Sequence, residues 1–149
     1  MLPMKALRLQ IGELLAADTT TLAPVSANKI ALLAADFSSN EDLTVADLTL
    51  ADFDGSTPIA GASGTQLAGI DPLTGEQLVT IKEPAGGWRW EMSGLTVPVQ
   101  TIFGYALLDS TLADLQAIQK LPAPITLDTV GQQIDIGAAV LRIVLQPVS

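Results

Sequence analysis

QLVTIKEPAGGWRWEMS, residues 77 to 93, sets the reading of the whole chain. QLVTIK and WRWEMS each alternate larger apolar with other side chains, the period of two expected of a half-buried strand. Between them Pro84 and Gly86-Gly87 supply turn chemistry, so the stretch predicts two strands joined as a hairpin. In the second strand Trp88, Trp90 and Met92 share one face, and Arg89 and Glu91 share the other. An aromatic face of this kind is either a platform for sugars or an inward ridge, the latter with Arg89 and Glu91 as an exposed ion pair behind it. Only 4% of the chain is aromatic, so the ridge reading prevails: a core with few other large side chains needs these indoles.

Downstream, TVPVQTIFGYALLD (96–109) is apolar on both faces, with Phe103, Tyr105 and Leu107 on one and Ile102, Ala106 and Leu108 on the other. That is the pattern of a central strand. TLADLQAIQKLPAP (111–124) fits either a strand or a helix, because Leu112, Leu115 and Ile118 have helical spacing; Pro122 and Pro124 should end it either way. ITLD, a turn at Gly131 and QQIDIGAAVLRIVLQ predict two or three more strands. Upstream, IGELLAAD (11–18) predicts a short helix, while NKIALLAADF (28–37) and TPIAG (57–61) predict strands, the latter followed by a turn-rich loop over 61–76. Short strands with frequent turns predict an all-β fold, an antiparallel β-sandwich of jelly-roll or Greek-key type with one or two short helical turns in its N-terminal half. Residues 1–20 would form an arm or short helix, and 21–149 a single domain.

The chain has 149 residues, enough for one domain with a substantial core. It is 48% hydrophobic but only 15% charged, where a soluble domain averages about 25%, so much of its surface must be neutral and suited to being covered by partners. Sixteen acidic against seven basic residues give a formal charge of -9, the wrong sign for binding phosphate backbones, and no basic cluster interrupts it. Nucleic acid is therefore not an expected partner. The N-terminal apolar stretch is broken by Gln10 and Glu13, and Arg142 splits the C-terminal one, so neither a signal peptide nor a membrane span is expected.

EDLTVADLTLADFDGS (41–56) holds five carboxylates, Glu41, Asp42, Asp47, Asp52 and Asp54, and no Lys or Arg. Thr44 to Asp47 and Thr49 to Asp52 each match the capping-box spacing, in which a Thr and an acid three residues on satisfy each other's backbone N–H groups. Two consecutive one-turn helices, docked through their leucines and Phe53, are the expectation. Asp52-Phe-Asp54-Gly55 superficially resembles a calcium loop, but the further ligand positions and the closing glutamate are missing. No metal or cofactor site is expected here.

Without His or Cys the familiar nucleophilic triads and most zinc sites cannot be built, and no G-x-S-x-G, Walker or dinucleotide fingerprint occurs. A glycosidase-like carboxylate pair is formally available, but nothing singles one out.

Two segments, LTVADLTLADFDGSTPIAG (43–61) and TIFGYALLDSTLADLQAIQKLPAPITLDTVGQQIDIGAAVLRIVL (101–145), resemble small virion structural proteins of tailed bacteriophages. The carriers are ADFDG at 51–55, IFGYALLD at 102–109 and GQQIDI at 131–136; with the intervening Trp strand the resemblance covers about two-thirds of the chain. Ser56 stands where an aromatic is common in that pattern, and the alanine-rich N-terminal third departs from it. The resemblance implies a β-rich fold, a role as capsid decoration or tail-associated protein, and no catalytic residues. The resulting expectation is a non-enzymatic virion component, made in the host cytoplasm, that binds the major capsid protein or other virion proteins and forms a homo-oligomer. A tail or fibre position, a carbohydrate-binding module and a small hydrolase are the rivals.

Overall fold

The computed structural model describes residues 2–4, 29–61, 66–70, 77–80, 84–136 and 140–143. The described residues form ten strands in chain order: β1 (Leu2–Pro3), β2 (Lys29–Leu33), β3 (Ile59–Ala60), β4 (Gln66–Ile70), β5 (Gln77–Thr80), β6 (Trp88–Glu91), β7 (Gln100–Leu108), β8 (Leu115–Leu127), β9 (Gln133–Ile136) and β10 (Val140–Ile143). A 3-10 turn at Val45–Asp47 is the only helical element among the described residues. The fold is all-β, and every strand pair is antiparallel. The helix expected at 11–18 lies outside the described residues.

A five-stranded sheet ordered β1-β8-β7-β2-β3 forms the frame, beside a three-stranded β10-β5-β4 sheet and a β6-β9 pair. β7 is central in the frame, as its two apolar faces predict. β2 shows why both faces of that frame are buried. Ile30 and Leu32 join one core with Phe53, Trp88, Trp90, Met92, Leu107 and Ile134, whereas Ala31 and Leu33 join a second with Met4, Ala106, Leu108, Leu115 and Ile118. The β6-β9 pair covers the first face. The second is covered by the 36–50 connection, whose Phe37, Leu43, Val45, Leu48 and Leu50 pack on it. These side chains are partly buried there, and apolar area removed from water stabilises in proportion to its extent, so the connection is part of the core structure. Gly104 leaves room for this cover: a Cβ there would lie 2.8 Å from the Phe37 ring and 2.4 Å from the Gln119 carbonyl oxygen.

Several expectations are corrected. The turn at 84–87 forms, with the Gly87 amide on the Pro84 carbonyl at 2.9 Å, but its flanking strands do not pair with each other. β5 pairs with β4 and β10, and β6 pairs with β9, Trp90 opposite Ile134. Burying two indoles against Ile30, Leu32 and Leu107 requires β6 to lie over the large sheet, which outweighs the local pairing of a hairpin. β8 runs through both prolines as a strand. Ile102 pairs with Ile125 and Gly104 with Lys120, so residues 121–124 bulge opposite Phe103 alone, and a bulge tolerates residues without an N–H. The same irregularity breaks the face parity of β7: Ile102 packs in the first core with Leu107 instead of sharing a side with Ala106 and Leu108.

The expected loop over 61–76 contains β4. Residues 2–4, expected in an arm, belong to the sheet: Leu2 pairs with Ile118, the Met4 amide bonds the Gln116 carbonyl at 2.8 Å, and Met4 is buried.

Candidate functional site

The acidic stretch wraps the edge of β2, where the carboxylates of Asp47 and Asp54 accept backbone amides and that of Asp52 is bonded to the Gln100 side chain. At the first box, the Asp47 carboxylate accepts from the Thr44 amide at 2.9 Å and the Thr44 hydroxyl at 2.8 Å, while the Asp47 amide donates to the Thr44 carbonyl at 3.1 Å. The 3-10 turn is thereby closed by a capping box, and its bonds hold the Asp47 carboxyl below the usual carboxylate range, the Thr44 amide contributing most. The second box does not form a helix. The Ala34 amide bonds the Thr49 carbonyl and the Ala51 amide bonds the Leu32 carbonyl, both at 2.8 Å, with Leu50 bridged to Leu33. Residues 49–51 therefore extend the edge of β2 beyond the short β3, because two sheet bonds and a leucine on the core outweigh one turn of helix.

Asp52 ties this stretch to the start of β7, and Asp54 ties it to the loop before β7. Gln100 is the centre of the first tie: its Oε1 accepts the amides of Asp52 and Phe53 at 3.0 and 3.2 Å, and its Nε2 donates to the Asp52 carboxylate. Asp54 Oδ2 accepts the Thr96 amide at 2.9 Å, the main cause of its lowered pKa, and the Asp54 carbonyl accepts the Ser93 amide at 2.8 Å. Phe53, between these two polar clamps, is buried in the first core. Glu41 and Asp42 stand at the turn that follows Asn40, whose Oδ1 accepts the Asp42 amide at 2.7 Å. Among the described residues, no three or more acidic side chains are grouped so as to hold a metal ion. The arrangement of the stretch is that of turn and loop closure.

Trp88, Trp90 and Met92 form an inward ridge, each at most 1% exposed. No indole face is offered to a sugar. Trp90 Nε1 donates to the Thr57 carbonyl at 3.0 Å. On the outer face Arg89 pairs with Asp135 of β9 at 2.6 Å, a cross-strand contact that raises the arginine pKa, and Glu91 accepts from Gln133 Nε2 at 2.7 Å. The expected Arg89–Glu91 pair is replaced because Asp135 sits directly opposite Arg89 in the ladder.

Asp109, Gln132 and Gln100 are structural anchors that none of the motifs read from the sequence singled out. Asp109 closes the β7–β8 turn by accepting the amides of Thr111, Ala113 and Asp114 at 3.1, 2.7 and 2.8 Å, together with the Thr111 hydroxyl. These bonds, led by that of Asp114, lower its pKa to about 2. Asp-Ser-Thr after a strand is a legible Asx-turn signal. Gln132 Oε1 likewise accepts the amides of Asp128 and Thr129 at 2.7 and 3.0 Å. Gln132 acts within its own turn, whereas Gln100 acts on the amides of Asp52 and Phe53, 48 and 47 residues earlier, which no local pattern announces.

A hollow of about 330 Å³ opens between residues 43–45 and 113–116. Its lining mixes the apolar Leu43, Val45 and Leu115 with the polar Asp114 and Gln116, and the Thr44 hydroxyl in it is already bonded to Asp47. It has no converging set of polar groups of the sort that orients a small ligand.

Comparison with known proteins finds no matching family model, no similar curated protein and no similar solved structure.

Proposed function

We propose that the chain is a non-enzymatic structural subunit of a tailed-bacteriophage particle, a capsid decoration protein that acts by being packed against the major capsid protein. The observation that supports the non-enzymatic part is the use made of chemistry-bearing side chains among the described residues: Asp47, Asp54 and Asp109 hold backbone amides, Asp52 is clamped by Gln100, and Trp88 and Trp90 are core. A site for acid-base work would instead leave a carboxylate aimed into a cleft with its pKa raised, whereas the resolved shifts on Asp36, Asp47, Asp54 and Asp109 are all downward.

The phage assignment rests on the resemblance of residues 43–61 and 101–145 to small virion structural proteins. The low charge content and the exposed apolar residues Leu95, Val99 and Val130 suit a surface that a partner covers. The test is to purify the particles of the phage that encodes the chain, quantify it by mass spectrometry and locate it by immunogold labelling. The proposal predicts many copies per particle on the head. Expression in infected cells together with absence from purified particles would refute it, and label confined to the tail would move the protein there.

A further inference from the structure

One end of the molecule gathers exposed apolar side chains on loops that are firmly braced. Leu95, Val99 and Val130 are 55%, 58% and 51% exposed, and hydrogen bonds bring their loops together. The Gly131 amide donates to the Met92 carbonyl at 2.8 Å and the Met92 amide to the Gln132 carbonyl at 2.9 Å, which places the 128–132 turn against the start of the 93–99 loop. Asp54 holds that loop at Thr96, and Gln100, opposite Leu127 in the ladder, anchors its far end to Asp52. Ordering cost on binding is therefore small, because the loops are already fixed.

The rim of this apolar end is anionic. Asp54 bonds Thr96, the residue after Leu95; Asp52 bonds Gln100, the residue after Val99; and Asp128 is two residues from Val130. The described cationic side chains are elsewhere. Lys29 begins β2 at the opposite end of β7, Lys120 pairs with Asp36 across the second face, and Arg89 pairs with Asp135 on β6-β9.

We infer that this end, centred on Leu95, Val99 and Val130, is a docking surface for a different protein that presents an apolar contact flanked by lysine or arginine. A second copy of this chain would bring the same carboxylates face to face, and like charges juxtaposed at an interface are unfavourable. A basic-flanked partner meets both the apolar centre and its rim. The inference goes beyond the phage assignment and holds for whichever assembly contains the chain.

The test is an amide NMR titration of the full chain with two synthetic peptides that share a Val-Leu-Val centre, one flanked by lysines and one by glutamates. The lysine peptide, added to about 1 mM, should shift amides of 93–99 and 128–131 and leave those of β2 unmoved. Raising salt to about 0.5 M, where screening reaches only a few ångströms, should weaken the effect. Val99→Ser with Val130→Ser, both exposed and so compatible with the fold, should weaken binding at least about tenfold while the unfolding midpoint is kept. Failure of the lysine peptide to shift these amides, equal binding of the glutamate peptide, or concentration-dependent shifts of the same amides in the chain alone would each overturn the inference, the last by making a second copy the occupant.

Discussion

The Trp90 indole donates its Nε1–H to the carbonyl of Thr57, 33 positions earlier in the chain, at 3.0 Å. This bond joins the Trp strand to the segment that leaves the acidic stretch, so the two features that look most like sites are parts of one piece of architecture. Phe53 and Trp90 share the same core, and the polar groups beside Phe53 keep its loop in place.

Removing the indole should therefore damage the fold. Trp90→Ala is expected to cost about 3–5 kcal/mol by denaturant unfolding, from the cavity and the lost burial. Trp90→Phe keeps much of the volume but leaves the Thr57 carbonyl without its donor, and should cost less than the alanine variant. Arg89→Ala, on the exposed face, should barely move the midpoint. A Trp90→Ala variant as stable as the wild type would show that the ridge does not support the core.

Gly55 provides a sharper steric test. Its φ is +105°, and a Cβ there would stand 2.0 Å from the Glu91 carbonyl oxygen, a backbone atom that cannot move aside cheaply. Gly131 has a similar φ of +93° but open space around it. Gly131→Ala should therefore cost about 1–2 kcal/mol, the strain of a left-handed conformation alone, and Gly55→Ala clearly more. Equal midpoints for the two variants in urea would mean that the loop at 53–56 does not pack against β6 as described.

Stability should fall in acid, and Asp109 should account for part of that fall. Its carboxyl is lowered from 3.8 to about 2 in the folded chain, and Asp36, Asp47 and Asp54 are lowered too. A group held lower in the folded than in the unfolded state stabilises the fold fully above its unfolded pKa, and that contribution is lost as pH falls through the folded value. The urea midpoint should thus decline between about pH 4 and pH 2. Asp109→Asn should be less stable than the wild type at neutral pH, and the gap should narrow toward pH 2. A gap that stays constant across this range would show that the ionised carboxylate is not what holds the 109–114 turn.

Much of the strand content was legible because burial imposes a period of two on the residues themselves. Alternation in WRWEMS put Trp88, Trp90 and Met92 on one face, the scarcity of other large aromatics turned that face inward, and the apolar residues on both faces of IFGYALL marked a central strand. Pairing was far less legible. Nothing local tells β6 to leave β5 for β9; that choice depends on where two indoles can be buried, which is a property of the assembled sheets. Pro122 and Pro124 suggested an end to β8 because a proline has no N–H, yet a bulge opposite Phe103 accommodates them. Of the two capping boxes, the one at Thr44 forms and the one at Thr49 does not, since residues 49–51 find partners on β2. In the acidic stretch the role of turn chemistry could be read from spacing, but Gln100 and Thr96, the partners that fix Asp52 and Asp54, lie over forty residues away.

The most direct test of the claim that the acidic stretch is structural is the melting temperature of the wild type and Asp54→Asn, each measured with a chelator and with millimolar calcium. The account predicts that Asp54→Asn melts lower in both buffers, through its weakened hold on the Thr96 amide, and that calcium leaves both proteins unchanged. A calcium-dependent rise in the wild type that Asp54→Asn abolishes would contradict it and make residues 52–55 a cation site.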